Sequence, residues 1–124
     1  VKRLREEGGK VTTRVLKDKK KREELRLEFY GAISSGKAPA ISEVVRTLRR
    51  LHGLTRAAFA MKAGISEESL KRIEQGRANP TLETLERLLA LGSLTLTVRV
   101  LTSEELVDRR NAKIRAVNAA KPVS

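Results

Sequence analysis

The stretch from Leu54 to Gly76, LTRAAFAMKAGISEESLKRIEQG, constrains this chain most, because it sets two helical apolar patterns on either side of a glycine with no room for a long loop. Thr55 is placed to cap a first helix in which Phe59, Ala60 and Ala63 recur at helical spacing. Gly64 follows, and a glycine just past a helix takes positive φ without steric penalty, so the chain reverses before Ser66 caps the next helix. Leu70 and Ile73 give that second helix one apolar side, and Gly76 closes it. The small residues Ala57, Ala58, Ala60 and Ala63 permit a close, near-perpendicular crossing of the two helices. Taken alone, the stretch also fits an ordinary helical hairpin in an all-α core.

The flanks extend the pattern. The opening VKRLREEGGK does not start on methionine, carries a Gly-Gly pair and is assigned no function, and VTTRVL (residues 11–16) is β-prone. From Asp18 to Ile33 a helix is predicted, with Asp18 as N-cap and Leu25, Phe29, Ala32 and Ile33 on one face. Its first turn holds Lys19, Lys20, Lys21 and Arg22, which read either as a solvated face or as a phosphate contact. SSGKAP is a linker. A second helix runs from Ser42 with Ile41, Val45, Leu48 and Leu51 lining its buried side, and Gly53 ends it. Beyond Gly76, Pro80 stops the preceding helix and Thr81 caps another, in which Leu82, Leu85, Leu88 and Leu89 face the core.

After Gly92 the period changes to two. LTLTVRVL puts Leu94, Leu96, Val98 and Val100 on one face and Thr95, Thr97 and Arg99 on the other, the alternation of a β-strand. A lone strand leaves backbone donors and acceptors unpaired, so it needs either VTTRVL or the same strand of a second copy across a two-fold axis, and the second is favoured. Thr102 and Glu105 then form a capping box for a last helix with a thin stripe of Leu106, Val107, Ile114 and Val117, and KPVS is expected to be a disordered end.

Charge points to a polyanion. The 124 residues carry a net charge of +12, and residues 1–40 alone hold 12 basic against 6 acidic side chains. Phe29, Tyr30 and Phe59 are the only aromatics, too few for the stacking platforms of RNA and single-strand modules, which favours duplex DNA. Without cysteine there is no disulfide framework or thiolate metal site, and the single His52 is read as a surface residue at a helix end. No metal, cofactor or catalytic constellation is expected, and an enzyme is disfavoured. No apolar run reaches membrane-span length, so the expectation is a cytoplasmic protein with no membrane partner.

Residues 41–91 resemble the lambda-repressor-like (Cro and XRE type) helix-turn-helix domain. The likeness is carried by GLT at Gly53, AGIS at Ala63 to Ser66, IEQG at Ile73 to Gly76 and NPTLETL after it. The strand that follows is similar to the extension of antitoxin repressors of the HigA and HipB kind. The resemblance implies a mainly α fold: a five-helix domain over residues 41–92, preceded by a basic arm (1–40) with a helix at 18–33. Residues 93–124 would supply a C-terminal dimerisation strand, in an intermolecular sheet, and a helix with its tail.

Carried over by position, the resemblance makes Ser66 to Gln75 the recognition helix, with Glu67, Glu68, Ser69 and Arg72 facing base edges and Lys71 near them. Arg56 would contact phosphate where many relatives carry glutamine, and Arg77 and Asn79 are further phosphate contacts. Arg49 and Glu74 would form a structural ion pair. The departure is the acidic pair Glu67 and Glu68, which phosphates repel, although a glutamate can accept from cytosine N4. The implied function is a dimeric, sequence-specific DNA-binding regulator that binds a palindromic operator and acts as the antitoxin and autorepressor of a toxin–antitoxin pair. The alternative is a protein-binding module with weak DNA affinity.

Overall fold

A computed structural model of the chain describes residues 16–120. Six helices follow one another: α1 (Lys19–Ser34), α2 (Ile41–His52), α3 (Arg56–Ala63), α4 (Glu67–Glu74), α5 (Leu82–Ala90) and α6 (Ser103–Ala120). The opening decapeptide, VTTRVL apart from Leu16, and the KPVS end lie outside the described residues.

Local chemistry sets most of the boundaries. The side chains of Asp18, Thr55, Ser66 and Thr81 each accept a backbone N–H of the following first turn, at the starts of α1, α3, α4 and α5. Helix α2 begins instead at Ile41, one residue before the predicted Ser42, with Ala40 as its cap and no side-chain hydrogen bond. At the other ends, α1 to α5 all close with the same pair of reverse hydrogen bonds around one left-handed residue. That residue is glycine at four of them and Ser93, φ 59°, after α5.

The core is a cluster of buried apolar side chains centred on Val45, Leu48, Phe59, Leu70, Ile73, Leu88 and Leu89, contributed by α2 to α5. Helix α1 joins it from outside, burying Phe29 and hydrogen-bonding the Tyr30 hydroxyl to the Gly92 carbonyl at 2.6 Å. A Cβ at Gly92 would overlap Leu48 Cδ2, so this glycine is what allows α1, α2 and the end of α5 to meet. Two predicted core residues are displaced outward: Ile41 and Leu82 are each the first residue of their helix and are exposed.

Two expectations about architecture are corrected. Residues 41–92 hold four helices, not five, and a five-helix assembly is reached only by including α1. No β-strand forms among the described residues: 94–101 is extended but unpaired. The physical reason is that strand alternation specifies which side chains face inward, while a ladder requires a second backbone. Here Glu86 substitutes for part of one, its carboxylate accepting the Leu96 N–H at 3.1 Å and the Thr95 hydroxyl at 3.2 Å. The alternation therefore buries only its first half. Leu94 and Leu96 pack against the core, whereas Val98 and Val100 are 96% and 90% exposed.

Beyond this segment the Thr102 capping box is complete, with Glu105 N–H to Thr102 Oγ1 at 3.1 Å and Thr102 N–H to Glu105 Oε1 at 2.9 Å. The same Glu105 carboxylate takes the Arg99 guanidinium, and these hydrogen bonds hold its pKa down to about 2. Arg99 is correspondingly raised by the hydrogen bond to Glu105. Helix α6 buries none of its residues.

Candidate nucleic-acid interface

The site is built on the α3–turn–α4 unit. Four small residues, Ala57, Ala58, Ala60 and Ala63, lie on α3, and the buried Ala60 and Ala63 let α4 approach closely enough for Leu70 and Ile73 to reach Phe59 and α2. The Gly64 turn between them has φ 73°, a conformation in which a Cβ would be strained. Helix α4 is thereby held with one side in the core and the other in solvent.

On the solvent side stand Glu67, Glu68, Ser69, Lys71 and Arg72, all exposed. Ser66 is the N-cap: its hydroxyl oxygen accepts the Ser69 N–H at 3.0 Å and its hydroxyl donates to Ser69 Oγ at 2.9 Å. With Ser69 Oγ accepting from inside, its own O–H is left to donate outward. Ser69, Arg72 and Asn79 come together on a groove of about 300 Å³ between α4 and the start of α5, where Pro80, Thr81 and Thr84 form the opposite wall. Arg77 is exposed one residue past the Gly76 turn, outside this groove. Glu67 and Glu68 lie at the N-terminal end of α4, where they favour the helix dipole whatever else they do.

Behind this face is a buried ionic centre. Arg49 donates from Nε to Glu74 Oε2 at 2.7 Å and from Nη2 to Glu74 Oε1 at 3.1 Å, a two-pronged pair with side chains 0% and 1% exposed. A third arm of Arg49 donates to the Leu54 carbonyl at 3.1 Å, and Arg46 donates to the Glu74 carbonyl at 3.0 Å. One side chain thus fastens α2 to both the start of α3 and the end of α4. Arg50 beside it is pushed to lower pKa by burial, then by the charges of Arg46 and Arg49, and its Nε has no hydrogen-bond partner among the described residues.

Arg56 does not stand apart from this centre. Its Nε donates to Glu74 Oε1 at 3.2 Å, and its side chain is 20% exposed. The residue sits in the first turn of α3, as a phosphate contact there requires, but with one donor already committed and the terminal nitrogens left over. Sequence spacing gives no sign of this link, because Arg56 and Glu74 are 18 residues apart on different helices. The Arg46 contact to the Glu74 carbonyl and the Glu86 bridge to Leu96 leave no trace in the spacing either.

Among the described residues no group of three or more acidic, histidine or cysteine side chains is placed to hold a metal ion. His52 keeps its ring against Phe59, centroids 5.6 Å apart, with Nδ1 2.8 Å from the Leu48 carbonyl. No described helix is long and apolar enough to cross a membrane.

A short α3, a glycine turn and an α4 with one outward polar face define the helix-turn-helix class of domain. Residues 45–97 match the family model for helix-turn-helix domains, of the Cro/C1 type, which spans α2 from its fifth residue to the extended segment after α5. No curated protein and no solved structure matches the chain.

Proposed function

We propose that the chain is a sequence-specific DNA-binding regulator that works as a homodimer on a palindromic operator, and that it is the antitoxin of a toxin–antitoxin pair repressing its own operon. The observation that carries the DNA reading is the helix-turn-helix match together with the solvent-facing side of α4. Ser69 and Arg72 then read base edges, with Lys71, Glu67 and Glu68 around them; Ser66 and Arg56 mark the two helix starts near phosphate, and Arg77 and Asn79 contact the backbone. Half-sites would lie about 34 Å apart.

Dimerisation and the antitoxin role rest on the C-terminal third. Leu94 and Leu96 are partly covered by the core, which leaves the unpaired backbone and the exposed Val98 and Val100 to meet a second copy. Leu106, Val107, Ile114 and Val117 on α6 are about half exposed and offer a surface for a toxin. A second reading keeps the protein contacts and weakens the DNA contact; the observation in its favour is Glu67 and Glu68, both in solvent at the front of α4. A mobility-shift titration with the upstream DNA of its own operon separates the two. Binding tighter than to random duplex supports the regulator, and equal binding refutes it.

A further inference from the structure

We propose that the lysine-rich first turn of α1 is a DNA-backbone contact in its own right, continuing the phosphate-binding surface that begins at α3. The inference rests on the DNA-binding reading above. Helix α1 has two unlike ends. Its second half supplies Phe29 and Tyr30 to the fold, while Lys17, Lys19, Lys20 and Lys21 at its start are exposed and contribute nothing to the core. Cations in a first turn oppose the helix dipole, so the dipole gives no reason for them.

Their position does. Arg22 lies over Gly53, where a Cβ would stand 2.5 Å from its Nη1 and 3.8 Å from the Leu16 carbonyl oxygen. Further along α1, Arg26 and Tyr30 share a hollow with Leu51, His52 and Gly92. Helix α1 therefore runs antiparallel to α2, with its basic end at the C-terminal end of α2. Arg56 follows Gly53 by three residues, which at 3.8 Å per Cα step places the two at most about 11 Å apart. Duplex DNA carries one negative charge per about 1.7 Å of axis, so a backbone held at the start of α3 brings further phosphates within range of this patch. An acidic protein would also suit a lysine cluster. DNA is favoured because the patch adjoins the one helix start whose Arg56 is already placed for phosphate.

The test compares the full chain with its Lys19→Ala/Lys20→Ala/Lys21→Ala variant on upstream DNA and on random duplex, by fluorescence anisotropy across salt. Three lost contacts at about 0.9 each lower the salt slope by about 2.7, so between about 50 and 200 mM the wild type loses about 40-fold more affinity than the variant. The ratio of specific to random affinity stays the same, and the thermal midpoint does not fall. A Lys19→Gln/Lys20→Gln/Lys21→Gln variant removes the same charges while keeping good helix formers, and should match the alanine variant in salt slope and melt no lower than wild type. An unchanged slope in the alanine variant, with wild-type DNA binding intact, overturns the α1 contact alone and leaves the regulator standing. Absence of any wild-type DNA binding overturns both.

Discussion

Replacing Glu74 by alanine is the most searching perturbation of the ionic centre behind α4. It removes the two hydrogen bonds to Arg49 and the one to Arg56, and leaves a guanidinium that is 0% exposed with the Leu54 carbonyl as its remaining partner. Breaking a buried pair by deleting one member costs about 3–5 kcal/mol, because the surviving charge stays desolvated. Against a typical domain stability of about 5–15 kcal/mol, that takes much of the total. At a urea slope of about 1.5 kcal/mol/M, a loss of 4 kcal/mol moves the midpoint down by about 2–3 M. The companion variant Arg49→Met/Glu74→Leu removes both charges and keeps the volume, and should recover most of that loss, since the cost lies in the orphaned charge. Urea unfolding followed by far-UV circular dichroism reads both. A shift under about 0.5 M for Glu74→Ala, or a double variant no more stable than the single one, would refute the account of Glu74 as the buried tie between three helices.

Ser93 alone among the described non-glycine residues has positive φ, and Ser93→Gly should raise stability by a few tenths to about 1 kcal/mol by relieving left-handed strain, while Gly92→Ala should cost about 1–3 kcal/mol by driving a methyl into Leu48; thermal melts of the pair check both signs. Glu105 has its pKa depressed to about 2, chiefly by the Arg99 hydrogen bond, so its stabilising contribution is complete above the ordinary carboxylate value near 4.5 and is lost as pH falls through about 2. Carboxyl NMR should follow that titration, and Arg99→Gln should raise the Glu105 midpoint. On the proposed DNA surface, Arg72→Ala should relax base preference, whereas Arg56→Ala should weaken specific and random duplex alike; unchanged preference in the Arg72 variant would remove it from base reading.

What could be read along the chain is what depends on neighbours three to five residues away. Thr55, Ser66 and Thr81 act within their own first turns, Thr102 and Glu105 close on each other, and Gly64 and Gly76 end helices through hydrogen bonds that span one turn. These contacts form in the same way wherever the helix is placed, so spacing alone reveals them. The exposed face of α4 follows from the same periodicity, since burying Leu70 and Ile73 leaves Glu68, Ser69 and Arg72 outside.

Spacing could not show which helices exchange charge or which segment finds a backbone partner. Arg56 reaches Glu74, Tyr30 reaches Gly92 and Arg46 reaches the Glu74 carbonyl across 18, 62 and 28 residues, distances closed only after the apolar faces of α1 to α5 are packed. The alternation of residues 94–101 correctly marks Leu94 and Leu96 as inward, yet strand identity belongs to a pair of backbones. Periodicity within one segment carries no information about the second. The helices of this protein are thus inscribed locally, while the fastening of Arg56 and the unpaired state of the extended segment are settled by tertiary packing, because each depends on groups brought together only when the core closes.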